Sequence, residues 1–167
     1  MRALRRAPGL LLGVVVVAAG CGPQPDPAGP EALVEDWVAM WNTYDLDRVG
    51  ELFLDEPRLT YFSSEREGVI RGMGALLEHH EGFGFTPGGT EQPNRLWVED
   101  LGVDLFGHAA VLTGIWYFQR GGDEDLAAPL QRGPVTFVSL FRSGRWWFVH
   151  MHFANYPAPG YLPPQGE

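Results

Sequence analysis

The 167-residue chain contains no lysine, and all twelve of its basic residues are arginine. Schiff-base chemistry, pyridoxal-phosphate attachment and a lysine general base are therefore excluded. Cysteine is nearly absent as well, Cys21 being the only one, so neither a disulfide within the chain nor a zinc-thiolate cluster can form. A metal site would have to be built from His, Asp and Glu. Positive charge is in deficit, with a formal net charge of −9. An acidic surface repels phosphate backbones and offers no basic groove, so nucleic acid is not an expected partner.

Long apolar runs are also scarce. "LLLGVVVVAAG", Leu10 to Gly20, follows the basic head "MRALRR". It is too short to span a bilayer comfortably and has the layout of an export signal. Its end, "AAGC", resembles a bacterial lipobox, in which the signal is cleaved before the cysteine and that cysteine is lipidated. The expected organisation is a signal peptide over 1–20, a flexible tether over 21–30 ("CGPQPDPAGP") that begins at lipidated Cys21, one domain over 31–155, and a Pro/Gly-rich tail over 156–167. The expected location is the bacterial cell envelope, with the chain exported and membrane-anchored through Cys21.

Within the domain the pattern is regular. Gly29 and Pro30 make a helix start, and Leu33, Val34, Trp37, Val38 and Trp41 follow at helical spacing. Asp45 caps a second short helix with Leu46, Val49, Leu52 and Phe53 inward. "RLTYFSS" and "GVIRG" predict two short strands, and a third helix runs from about Met73 to Glu81. Two hairpins follow: "NRLWVEDLGVDLF" with "HAAVLTGIWYFQR" about Gly107-His108, and "PVTFVSLF" with "RWWFVHMHFAN" about Ser143-Gly144. An acidic loop, "GGDEDLAAP", lies between them. The fold class is α+β: a curved antiparallel sheet with three N-terminal helices on one face.

The last strand is apolar on both of its faces. Strict alternation sets Trp146, Phe148, His150 and His152 against Trp147, Val149, Met151 and Phe153. One face can pack on the helices. The other needs a partner surface, most simply in a homodimer through the outer sheet face.

These segments resemble the nuclear transport factor 2-like superfamily. "EALVEDWVAMWNTYDLDRVGELFLDE" is similar to its opening helices, "GVIRGMGALLEHHEGF" to its strand and third helix, and "VTFVSLFRSGRWWFVHMHFAN" to its closing hairpin. "GRWWFVHMHFAN" is similar to the closing strand of SnoaL-like domains and of the association domain of calcium/calmodulin-dependent kinase II. The resemblance covers residues 31–155 and implies a cone-shaped barrel, a deep pocket between sheet and helices, and dimers that pair sheet to sheet. It leaves function open, because this fold hosts isomerases, hydrolases, cyclases, dehydratases and non-catalytic modules. The Tyr and acidic groups of ketosteroid-isomerase-like members and the Asp-Arg-Asp set of limonene-epoxide-hydrolase-like members find no residue-by-residue match. The arginine-rich pocket of the kinase domain is not matched either, since Leu112 and Trp116 stand on the corresponding strand.

Three candidates for acid-base chemistry emerge. His150 and His152 are two imidazoles on one expected face, where small shifts bring a histidine to working pH. Glu99, placed inside by alternation with Trp97 and Leu101, would have its pKa raised by desolvation. A structural role for all three is the competing reading. A His-x-His pair lacks an evident third ligand, and the adjacent histidines of "EHHE" point about 100° apart on a helix, so neither a metal nor another cofactor is expected. Trp41, Tyr61, Trp97, Trp116 and Phe148 are the expected walls of a site for a small apolar molecule. The functions open at this point are a binding pocket, a pocket enzyme (isomerase, cyclase or hydrolase) using His/Glu acid-base chemistry, and a dimeric assembly or sensing domain.

Overall fold

Apolar residues at helical spacing give α1 (Gly29–Thr43) one buried face, formed by Pro30, Leu33, Val34, Trp37, Met40 and Trp41. Gly29 is required there, because a Cβ would fall 2.5 Å from Trp146 Cδ1. The computed structural model describes residues 29–121 and 130–157. The export segment, Cys21, the tether before Gly29, residues 122–129 of the acidic loop and the tail from 158 lie outside the described residues.

After α1 the Asp45 carboxylate accepts the Asp47 N–H at 3.1 Å in an Asx turn, but Asp45 is not the cap expected of it: Leu46 holds the N-cap of α2 (Asp47–Leu52), and no side chain caps that helix. Val49, Leu52 and Phe53 from this turn are buried. Strands β1 (Thr60–Phe62) and β2 (Ile70–Arg71) are shorter than their apolar runs, and α3 (Gly72–Glu81) follows directly. β3 (Arg95–Phe106) and β4 (Ala109–Gln119) form one hairpin, β5 (Gln131–Arg142) and β6 (Arg145–Phe153) the other. Both turns fall where expected, with positive φ at Gly107 and at Ser143 and Gly144.

The strands form one sheet in the order β2-β1-β6-β5-β4-β3. It is mixed, not purely antiparallel as expected, because β6 inserts between β5 and β1 and runs parallel to β1. α1 packs on the inner face, where Trp37 is fully buried with ring centroids 5.3 Å from Phe137 and 5.2 Å from Phe153. Burying each such ring contributes roughly 2 kcal/mol or more.

Two β-bulges decide which residues face inward. Ser139 pairs with Phe148 and Val138 with His150, so Val149 has no opposite residue. The inward parity therefore runs Trp146, Phe148, then Met151 and Phe153. Glu99 pairs with Ile115 and Gly102 with Thr113, leaving one extra residue in β3. Asp100 carries the irregularity at φ 53°, a conformation that Asp tolerates better than most residues. Leu96 and Val98 before this bulge, and Leu101 and Val103 after it, pack toward the core. The outer face carries half-exposed Val111, Ile115, Val138, Leu140 and Trp147.

Candidate functional site

Between the C-terminal end of α1, the end of α3 and the inner face of β3 to β6 lies a cavity of about 460 Å³. That is within the usual range of roughly 300 to 1,000 Å³ for small-molecule sites. Trp41, Tyr61, Leu96, Trp116, Phe118 and Phe153 form its apolar wall, while Ser63, Ser64, Glu65, Arg120 and Gln131 form a polar rim. Each wall residue is set by its element. Trp41 is one helical turn beyond Trp37; Trp116 and Phe118 are inward positions of β4, and Phe153 is inward only because of the Val149 bulge.

Of the five aromatic residues expected at the site, Trp41, Tyr61 and Trp116 line the cavity. Trp97 and Phe148 do not. Trp97 faces outward, stacked on Tyr117 at 5.1 Å and 7°, and Phe148 is fully buried core between Phe53 and Phe137. The acid-base candidates are corrected in the same way. The bulge at Val149 turns His150 and His152 to the face opposite Trp146 and Phe148, and Glu99 lies on the outer face beside Trp97. His150 Nδ1 is 2.8 Å from Thr60 Oγ1, exposed His152 packs its ring near Phe62, and Glu99 accepts the Trp97 indole N–H at 2.9 Å. Burial, then the neighbouring His152, lowers the His150 pKa. The three groups do not meet in the cavity. Among the described residues no three His, Cys, Asp or Glu side chains come together as a metal site.

Leu96, Phe118 and Asn94 also line the cavity and were not foreseen there. Leu96 and Phe118 follow from the parity of β3 and β4 once Trp116 is taken as inward, since Leu96 pairs with Phe118 and Val98 with Trp116. Asn94 lies at the foot of β3 and has no periodic signal. Tyr44 ends α1 at φ 51°, a left-handed position where a bulky residue costs about 1–3 kcal/mol. Its Thr86 contact holds the backbone, Thr86 N–H donating to Tyr44 O at 3.0 Å, and its ring stacks on Phe85 at 4.6 Å. Both residues line or border the cavity.

No family model matches the sequence, and no curated protein matches it either. Solved structures do match. An NTF2-like superfamily protein of Salmonella enterica superposes with a TM-score of 0.62 at 17% identity, over 81% of this chain and 93% of that one. The fold is NTF2-like. An NTF2-like protein of unknown function from Pseudomonas putida gives a TM-score of 0.66 at 18% identity, over 83% and 93% of the two chains. The CaMKII hub of S. rosetta gives 0.64 at 18%, over 81% and 100%. At these identities the likeness establishes the cone-shaped architecture, with helices closing one face of the sheet, and leaves the contents of the cone to this chain's own residues.

Behind the Tyr61 wall of this NTF2-like cone sits His80, fully buried and with its ring near Trp41, Phe53, Tyr61 and Phe85. Its Nδ1 is 2.9 Å from Leu76 O. A carbonyl only accepts, so Nδ1 carries the proton and Nε2 is the bare, unpartnered nitrogen. Burial lowers its pKa to about 4, against the smaller opposing effect of the Leu76 carbonyl. Burial also lowers the half-buried His79, with Arg66 adding to it, and raises Tyr61. The interior is thus neutral at physiological pH. A His depressed on folding takes up its proton more readily in the unfolded chain, so stability is greatest above about pH 6.5 and falls as pH drops toward 4. Urea unfolding at pH 7.5 and pH 4.5 should differ by about 2–3 kcal/mol through His80. That difference should shrink in His80→Leu; an unchanged pH slope in the variant would refute the assignment.

Proposed function

We propose that the chain is a lipid-anchored, homodimeric SnoaL-like domain of the bacterial cell envelope that holds a small, largely apolar molecule in its cone. The observation that carries the binding reading is the open cavity walled by Trp41, Tyr61, Leu96, Trp116, Phe118 and Phe153 with a polar rim. Apolar walls with a few polar groups are the composition of a binding site. Binding is favoured over catalysis by His150, His152 and Glu99, because those groups sit on the other side of the sheet. The homodimer reading rests on the half-exposed apolar outer face around Val138 and Trp147. The anchor reading rests on the sequence "AAGC" after an apolar run.

N-phenyl-1-naphthylamine, an uncharged fluorophore, should bind saturably and quench the fluorescence of Trp41 and Trp116. Ser64→Trp at the rim should weaken it by at least about tenfold, roughly 1.4 kcal/mol, while leaving the melting temperature in place. Absence of saturable binding, or equal affinity in the two proteins, would refute the pocket. For the anchor, the full chain expressed in bacteria should fractionate with membranes, and Cys21→Ala should release it; a Cys21→Ala protein retained like the wild type argues against lipidation. For the dimer, sedimentation of the chain from residue 29 onward should give a two-chain mass that Val138→Glu reduces to one, and a monomer in the unsubstituted protein would overturn it.

A further inference from the structure

We infer that the cavity selects molecules carrying an uncharged carbonyl oxygen, and that Tyr44 is the residue that reads it; this rests on the pocket-binding reading above. The Gly121 backbone N–H, which can only donate, points to Asn94 Oδ1 at 3.1 Å. That contact fixes the orientation of the Asn94 amide, so its Nδ2 donates to the Tyr44 hydroxyl at 2.8 Å. The Tyr44 oxygen is thereby used as an acceptor, and its own proton must be directed elsewhere. Among the described residues no group accepts it. Tyr44, Asn94 and Gly121 all line the cavity, so a bound molecule is the acceptor this chain of donors is built to meet. Each bond in such a chain polarises the next and strengthens the last donor.

Two further observations agree. Tyr44 holds the left-handed backbone position at φ 51° that glycine or asparagine would occupy more readily, yet its side chain is 8% exposed and packed into the wall between Trp41 and Phe85. The side chain, not the backbone, accounts for a tyrosine at this place. The charged members of the described lining, Glu65 and Arg120, are of opposite sign and stand at the exposed rim. Nothing within the aromatic wall compensates a desolvated anion, so the acceptor that fits is a neutral one.

Benzophenone and diphenylmethane are matched in shape and differ by the carbonyl, and both are small enough for the cavity. Calorimetric titration of the wild-type domain should find benzophenone bound about three- to tenfold more tightly, the range of one neutral hydrogen bond. Tyr44→Phe should abolish that ratio while still binding diphenylmethane, and Tyr117→Phe, on the outer face against Trp97, should keep it. The infrared carbonyl stretch of benzophenone bound to the wild type should lie below its value in hexane, a readout that needs no variant to fold. Equal affinity for the two molecules, an unshifted stretch, or a preference that survives Tyr44→Phe would overturn the assignment while leaving the pocket intact. Failure of both molecules and of N-phenyl-1-naphthylamine to bind would overturn the pocket reading and this one with it.

Discussion

Trp37, clamped between Phe137 and Phe153, sets the line along which α1 crosses the sheet. The rest of the cone follows from that contact. Toward its start the helix can approach the sheet closely, since Gly29 offers no side chain to Trp146. Toward its end the helix carries Trp41 and Tyr44 over strands whose inward residues, Leu96, Trp116 and Phe118, do not fill the space beneath. Protein interiors are otherwise packed to crystal-like density. The space survives because its walls are rigid rings held edge to face, as Trp41 is with Phe83 and Phe85. A wall of flexible aliphatic chains would more readily collapse into it.

The same packing sets the electrostatics. His80 lies behind the cavity wall in a ring of aromatics that disfavours its charged form, and Tyr61 is buried in a way that disfavours the phenolate. Among the described residues, charge is confined to the rim and the outer surface. What polarity the interior does offer is that of neutral donors, phenol and amide, whose directions are set by backbone groups. Such groups orient a bound molecule without asking it to shed a strongly held hydration shell.

The order of elements was legible in the sequence because it depends on periodicity and turn chemistry, and these are strong here. α1, the two long hairpins and their Gly107-His108 and Ser143-Gly144 turns fall close to expectation. Three of the cavity's aromatic residues, Trp41, Tyr61 and Trp116, were legible for the same reason. Parity across the bulges was not. Val149 is β-branched like an ordinary strand residue, and nothing in "FVHMH" marks it as the extra one, so alternation carried through it placed both histidines on the wrong face. At Glu99 a signal did exist, in the Asp100 and Gly102 that follow, both residues suited to an irregular backbone. The parallel pairing of β1 with β6 joins residues some ninety positions apart, as Thr60 with His150, and no local pattern records it.

The bulge at Val149 makes the chemistry of the cone a matter of counting rather than of composition. Met151 and Phe153 occupy inward positions that, one peptide unit out of step, belong to His150 and His152. If the bulge were ironed out with Val149 kept in the ladder, His150 and His152 would turn inward in place of Met151 and Phe153, whereas loss of Val149 itself would remove the bulge and leave Met151 and Phe153 inward. In a sheet read on two sides, whether a strand keeps or irons out one bulge therefore decides which set of side chains the cavity sees.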